Sequence, residues 1–128
     1  MENHELLSHC CDYKTETYEE ALARYDGFGK GFYEALVKRY PKILKHLTFY
    51  QQIRDRRVCV MPYGPQTEDS YAIYNDGTTA FGIQLNFYTE IVLYDNDKDY
   101  DIGYWYKNPI EIALAYLKRD FLPNSILK

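Results

Sequence analysis

A chain of 128 residues, 46% hydrophobic and 17% aromatic with a formal charge of -4, has material for one hydrophobic core and not for two ordinary domains, so residues 1–128 are read as a single domain. No apolar run reaches membrane-spanning length, and the opening MENHELLSHCCDYKTE lacks the basic start and apolar centre of a secretory signal, which points to a soluble cytoplasmic protein with no membrane partner. Three cysteines, two of them adjacent at Cys10 and Cys11, exclude a disulfide scaffold and suit a reducing compartment.

In chain order, residues 1–15 carry no sustained period and are expected to form a loosely ordered lead. At Thr17 the run TYEE spells a capping box, in which the threonine hydroxyl accepts from the Glu20 N–H and the Glu20 carboxylate reaches back, so a short helix should run to about Tyr25. Asp26-Gly27 ends it, and Gly27, Gly29 and Gly31 read as a flexible link. A phosphate-binding reading of GFGKG fails on context, because no Ser or Thr follows the lysine and no apolar strand precedes the glycines. Phe32, Leu36, Val37 and Tyr40 keep helical spacing, with Lys38 and Arg39 suited to the helix end. Pro41 either kinks this helix or opens a new one, where a missing N–H costs nothing. Ile43, Leu44, Leu47 and Tyr50 extend a helical stripe, while Leu47, Phe49 and Gln51 alternate as a strand over 47–53 would, and the pattern leaves both open.

From Arg57 onward the pattern is that of strands. Val58, Val60 and the run CVMPY read as a first strand, stopped by Pro62, Gly64 and Pro65. Ser70 to Tyr74 is a second, Asn75-Asp76-Gly77 a tight turn, and Thr79 to Phe87 a third, in which Phe81, Ile83, Leu85 and Phe87 alternate with Gly82, Gln84 and Asn86. Glu90 to Tyr94 and Asp101 to Tyr106 follow as fourth and fifth strands joined across an acidic loop. Asn108-Pro109-Ile110-Glu111 signals a helix start with an Asn cap, a first-position proline and an early glutamate. Ile110, Ala113, Leu114, Leu117 and Phe121 form one stripe of that helix, which should lie apolar side down on the sheet until Pro123 ends it. The expected fold is α+β: N-terminal helices, an antiparallel sheet of about five short strands, and a C-terminal helix packed on the sheet.

Charge is unevenly spread. Residues 30–57 hold eight basic side chains against Glu34 and Asp55, whereas residues 66–111 hold nine carboxylates against Lys98 and Lys107. Within the acidic half, Glu90, Asp95, Asp97, Asp99 and Asp101 cluster around Lys98, and Tyr88, Tyr94, Tyr100, Tyr104, Trp105 and Tyr106 surround them. Carboxylates beside large, stiff aromatic side chains suit binding of a cationic protein partner.

Other chemistries fit less well. DNDKDYDIG places Asp95, Asp97 and Asp99 at the first, third and fifth positions of a calcium loop, but Tyr100 stands where the sharp turn needs Gly and Tyr106 where the bidentate Glu belongs. His4, His9, Cys10 and Cys11 match no zinc spacing, so neither a metal nor another cofactor is expected. Ser8, Ser70 and Ser125 sit in no nucleophile elbow, His46 lies among Lys42, Lys45 and Arg54 without a nucleophile, and Cys59 between two valines reads as packing. An aspartate run on an exposed loop does not separate two carboxyl pKa values as acid–base catalysis requires, and the chain is read as a non-enzyme. The acidic half would repel nucleic acid.

The acidic aromatic loop, the ending YDIGYWYKNPIEIALAYLKRDFL and the helix-then-sheet order resemble the small cytoplasmic immunity proteins of bacterial contact-dependent growth inhibition and related polymorphic toxin systems. In several of those families an acidic or aromatic strand segment precedes a final helix with an Asn-Pro or Asp-Pro start. The resemblance implies a non-catalytic protein that binds and neutralises a cognate toxin, a basic domain of nuclease type. On that reading Asp95, Asp97, Asp99 and Asp101 pair with Lys or Arg of the toxin, and Tyr100, Tyr104 and Trp105 are buried anchors. The protein itself would be a monomer or, through an edge strand, a weak dimer. Two alternatives remain: a small-molecule or peptide-binding module with a deep tyrosine-lined cavity, and a phage-encoded inhibitor of a host nuclease acting by the same physics.

Overall fold

Alternation of side chains along successive short segments produces an antiparallel meander. The computed structural model describes residues 3–7, 12–24, 28–53, 70–86 and 90–127. Its six strands lie in chain order: β1 (Asp12–Glu16), β2 (Leu47–Ile53), β3 (Ser70–Asn75), β4 (Ala80–Asn86), β5 (Glu90–Tyr94) and β6 (Asp99–Gly103). Every neighbouring pair is antiparallel. Helices α1 (Tyr18–Arg24), α2 (Phe28–Arg39) and α3 (Pro109–Asp120) and the short α4 (Asn124–Leu127) complete the α+β arrangement.

One face of the sheet carries the main core. Phe49, Ala72, Tyr74, Phe81, Ile83, Leu85, Ile91, Leu93 and Ile102 meet Phe32, Tyr33 and Leu36 of α2 and Ala113, Leu114 and Leu117 of α3. The C-terminal helix therefore packs on the sheet through the stripe that its spacing predicts. A smaller cluster of Leu7, Tyr71 and Ile73, with Leu6, Tyr13, Tyr50 and Tyr94 against it, occupies the opposite face.

The capping box at Thr17 forms as expected: the Glu20 N–H donates to Thr17 Oγ1 at 3.0 Å and the Thr17 N–H to Glu20 Oε1 at 2.9 Å. Four points go beyond or against the sequence reading, one of them an alternative that it left open. Gly29 and Gly31 lie inside α2 and are no flexible link; a Cβ on Gly31 would stand 3.3 Å from Ile110 Cδ1, so the missing side chain lets α2 approach the start of α3 closely. Pro41 opens a separate 3-10 helix, Pro41–His46, and the strand alternative prevails over 47–53, because β1 and β3 pair on either side of that segment and tertiary pairing outweighs local pattern. The lead supplies β1, and Asn3–Leu6 forms a 3-10 helix. Strand β1 is mostly exposed, so it has no buried alternation to read. Its Tyr13 ring packs edge-on against Tyr50 and Tyr71.

The fourth point concerns the start of α3. Asn108 is its cap residue but adopts a left-handed conformation (φ 54°, ψ 55°) with no side-chain capping bond. Glu111 turns to Arg39 instead, which donates from Nη1 and Nη2 at 3.2 and 3.0 Å and ties α2 to α3. The expected strand at Val58–Val60 lies outside the described residues.

Candidate protein-binding surface

Two hairpins are closed by one device. In the β5–β6 turn the Asp95 N–H donates to the Lys98 carbonyl at 2.9 Å, and Asp95 Oδ1 accepts from the Asp97 and Lys98 N–H groups at 2.8 and 2.9 Å. In the β3–β4 turn the Asp76 N–H donates to the Thr79 carbonyl at 3.2 Å, while Asp76 Oδ1 accepts from the Thr78 and Thr79 N–H groups at 2.9 and 2.7 Å. An aspartate that binds the backbone two and three residues on stabilises such a turn locally.

Asp95 is thus occupied internally. Its Oδ2 also accepts from Lys98 Nζ at 2.6 Å. Burial pushes its carboxyl pKa up, but the bonds from the Lys98 ammonium and the two backbone N–H groups outweigh that and hold it below the usual carboxylate value. Lys98 in turn lies 4.9 Å from the Phe121 ring centre.

Strand β6 divides the remaining site residues between two faces. Tyr100 and Ile102 point toward the helices, where the Tyr100 ring stacks on Tyr116 at 4.5 Å and 5° and its hydroxyl donates to Asp120 Oδ2 at 2.8 Å. The Arg119 guanidinium sits 4.8 Å from the Tyr116 ring centre and donates to the same Asp120 oxygen from Nη2 at 2.7 Å. These donors, Arg119 first and Tyr100 next, hold the Asp120 carboxyl low. Tyr100 is therefore half-buried and packed against α3. Asp99 and Asp101 are exposed on the opposite face, with Asp97 in the turn beside them, and none of the three carboxylates has a side-chain hydrogen bond or ion pair among the described residues.

The strand ends at Gly103, earlier than expected, so Tyr104, Trp105 and Tyr106 leave the sheet in a turn closed by the Tyr106 N–H on the Gly103 carbonyl at 3.2 Å. They are the large exposed hydrophobics among the described residues, at 59%, 62% and 48%. The Trp105 indole folds back over Gly103, where a Cβ would stand 2.4 Å from its ring. Because Asp99, Asp101 and Gly103 share a face by the two-residue strand period, two carboxylates and an indole form one row along β6.

Inward from this row lies a cleft of about 510 Å³, lined by Leu6, Tyr71, Gln84, Val92, Tyr94 and the acidic turn. Tyr94 organises it. Its ring covers Gly82, its cross-strand partner, and its hydroxyl donates to the Leu6 carbonyl at 2.6 Å. Burial raises the pKa of that hydroxyl. Leu6 and Tyr71 were not among the residues expected at the site, because only tertiary packing brings Leu6 against Tyr94 and only sheet register sets Tyr71 beside Gln84 and Val92.

No family model matches the chain, and no curated protein or solved structure does so either. Among the described residues, no group of three or more His, Cys, Asp or Glu is arranged to hold a metal, and no helix is long and apolar enough to cross a membrane. His9, Cys10, Cys11 and Cys59 lie outside the described residues.

Proposed function

We propose that this protein is a non-catalytic inhibitor of the immunity type, which binds a cognate toxin, a basic domain of nuclease class, through the β6 face. The observation that carries the reading is the row of Asp99, Asp101 and Trp105, with Asp97 in the turn beside it and Tyr104 and Tyr106 exposed next to it. Of the basic side chains near it, Lys98 and Arg119 are paired with Asp95 and Asp120, and the exposed Lys107 follows Tyr106 at the end of the turn. Uncompensated carboxylates steer and orient a cationic partner, and exposed aromatic side chains supply the contact area that becomes buried on binding. A nuclease cleft that attracts phosphates would accept the same carboxylates, so occupancy by the inhibitor excludes the polymer.

The test is co-expression with the polypeptide encoded immediately upstream, with co-purification and growth protection as readouts. A stoichiometric complex that restores growth supports the reading, and reversing Asp97 and Asp99 to Lys together should then weaken the complex at least several-fold while the fold persists. Unchanged affinity would move the interface elsewhere. The cleft beside Tyr94 favours a second reading, a module for a small cationic ligand or peptide. Protection from thermal unfolding by free basic peptides, without any toxin complex, would select it.

A further inference from the structure

The outer edge of β6 combines three features that an acidic patch by itself does not require. It is the last strand of the sheet, and no described strand pairs with its outer side. Antiparallel ladders alternate pairs that exchange hydrogen bonds with pairs that do not. Counted from the Asp95–Lys98 bond, the pairs Leu93–Tyr100 and Ile91–Ile102 direct their main-chain groups at each other, whereas those of Asp99, Asp101 and Gly103 face outward. The Gly103 carbonyl accepts from Tyr106, which leaves the N–H and C=O of Asp99 and Asp101 along the edge.

The two sides of that edge differ chemically. On the helix side a notch of about 170 Å³ is lined by Asp101, Ile102, Tyr106, Ile112 and Tyr116. On the other side stand the Asp99 and Asp101 carboxylates. A strand laid along this edge would point alternate side chains to opposite sides, one set into the apolar notch and the other beside the carboxylates.

We infer that β6 is a docking edge for an extended segment of the partner protein, added as a further strand with Lys or Arg opposite Asp99 and Asp101 and an aliphatic side chain between them in the notch. Main-chain bonds then supply attachment, and the alternation of basic and apolar residues supplies selectivity. A second copy of this chain fits poorly, because β6 against β6 sets aspartates opposite aspartates. The inference rests on the reading of this surface as partner-binding, and it names the part of the partner that the surface takes.

The probe is the peptide acetyl-Lys-Val-Lys-Leu-Lys-amide, titrated into the isotope-labelled protein. Binding should slow hydrogen exchange at the Asp99 and Asp101 amides. N-methylating the lysine amides that face the edge should weaken binding by roughly ten-fold or more, since each lost main-chain bond is worth on the order of 1 kcal/mol; N-methylating the Val and Leu amides, which face away, should not. Asp101→Pro removes the outward N–H and should bind less than Asp101→Asn, which removes only the charge. Equal binding by the two methylated peptides, no protection at Asp99 and Asp101, or no binding at about 1 mM peptide overturns the inference, as does peptide-independent dimerisation through β6. Should the upstream toxin be captured equally by the native protein and by Asp101→Pro, the edge falls and the inhibitor reading stands; edge binding of the peptide without toxin capture gives the reverse.

Discussion

The β3–β4 and β5–β6 hairpins share one turn chemistry and differ in almost everything around it. Both are closed by an aspartate whose Oδ1 takes two backbone N–H groups, and both place an aromatic ring over a glycine, Tyr94 on Gly82 and Trp105 on Gly103. In the inner hairpin Phe81, Ile83 and Leu85 are buried, and the ring over its glycine is hydrogen-bonded to Leu6. In the outer hairpin the ring is mostly exposed and the strand beside it shows carboxylates to solvent. An identical local motif is thus buried where the sheet covers it and exposed where the sheet ends.

The largest expected effect separates the hairpins by burial. Ile83→Ala, at a fully buried site, should lose about 2–5 kcal/mol in denaturant unfolding, and Val92→Ala, half-buried on the outer hairpin, clearly less. The two glycines sharpen the contrast. Gly82→Ala would bring a Cβ within 2.3 Å of Tyr94 Cζ; that ring cannot move without breaking its bond to Leu6, so a loss of about 1–3 kcal/mol is expected. Gly103→Ala displaces only the exposed Trp105 ring, and should weaken binding of the proposed partner with little change in the unfolding midpoint.

Asp76→Ala and Asp95→Ala remove the shared turn contact, and each should cost about 1 kcal/mol by the same assay. Their carboxyls are both held below the ordinary 3.8, Asp76 first by the bond from the Thr79 N–H and Asp95 by bonds that outweigh its burial. A group with a depressed folded pKa stabilises the protein above its unfolded value, and that contribution is lost as pH falls through the folded value. Stability should therefore decline below about pH 4, and less steeply in the double alanine variant; an unchanged acid limb would remove these carboxyls from the pH dependence. The smallest effect on stability is expected from Asp99→Asn with Asp101→Asn, within about 0.5 kcal/mol for exposed side chains. The same pair should reduce partner affinity and its salt dependence.

Much of the sheet was legible from local sequence. The strand at 80–86 and the apolar stripe of α3 are written in local pattern because burial on one face selects every second or every third and fourth residue. The strand at 70–75, buried on both faces, and that at 90–94 read instead as short apolar runs between turn signals. The Asp76-Gly77 turn and the capping box are written in turn and cap chemistry. The sequence also marked Asp97, Asp99, Asp101, Tyr104 and Trp105, since charge and aromatic clustering is a property of composition. It could not separate these from Asp95 and Tyr100, whose partners Lys98, Tyr116 and Asp120 engage them only once the turn and α3 are in place.

Tertiary structure alone decided the rest. It made a strand of 47–53 by setting β1 and β3 on its two sides, left the Asn108 side chain without a capping bond, set Leu6 against Tyr94, and ended β6 at Gly103 so that three aromatic residues stand outside the sheet. By itself the sequence determined which faces are apolar and where charge gathers, because those follow from side-chain chemistry at fixed spacing. Which strand lies at the edge, and what is therefore left uncovered there, depends on pairing between segments far apart in the chain, and no local period encodes it.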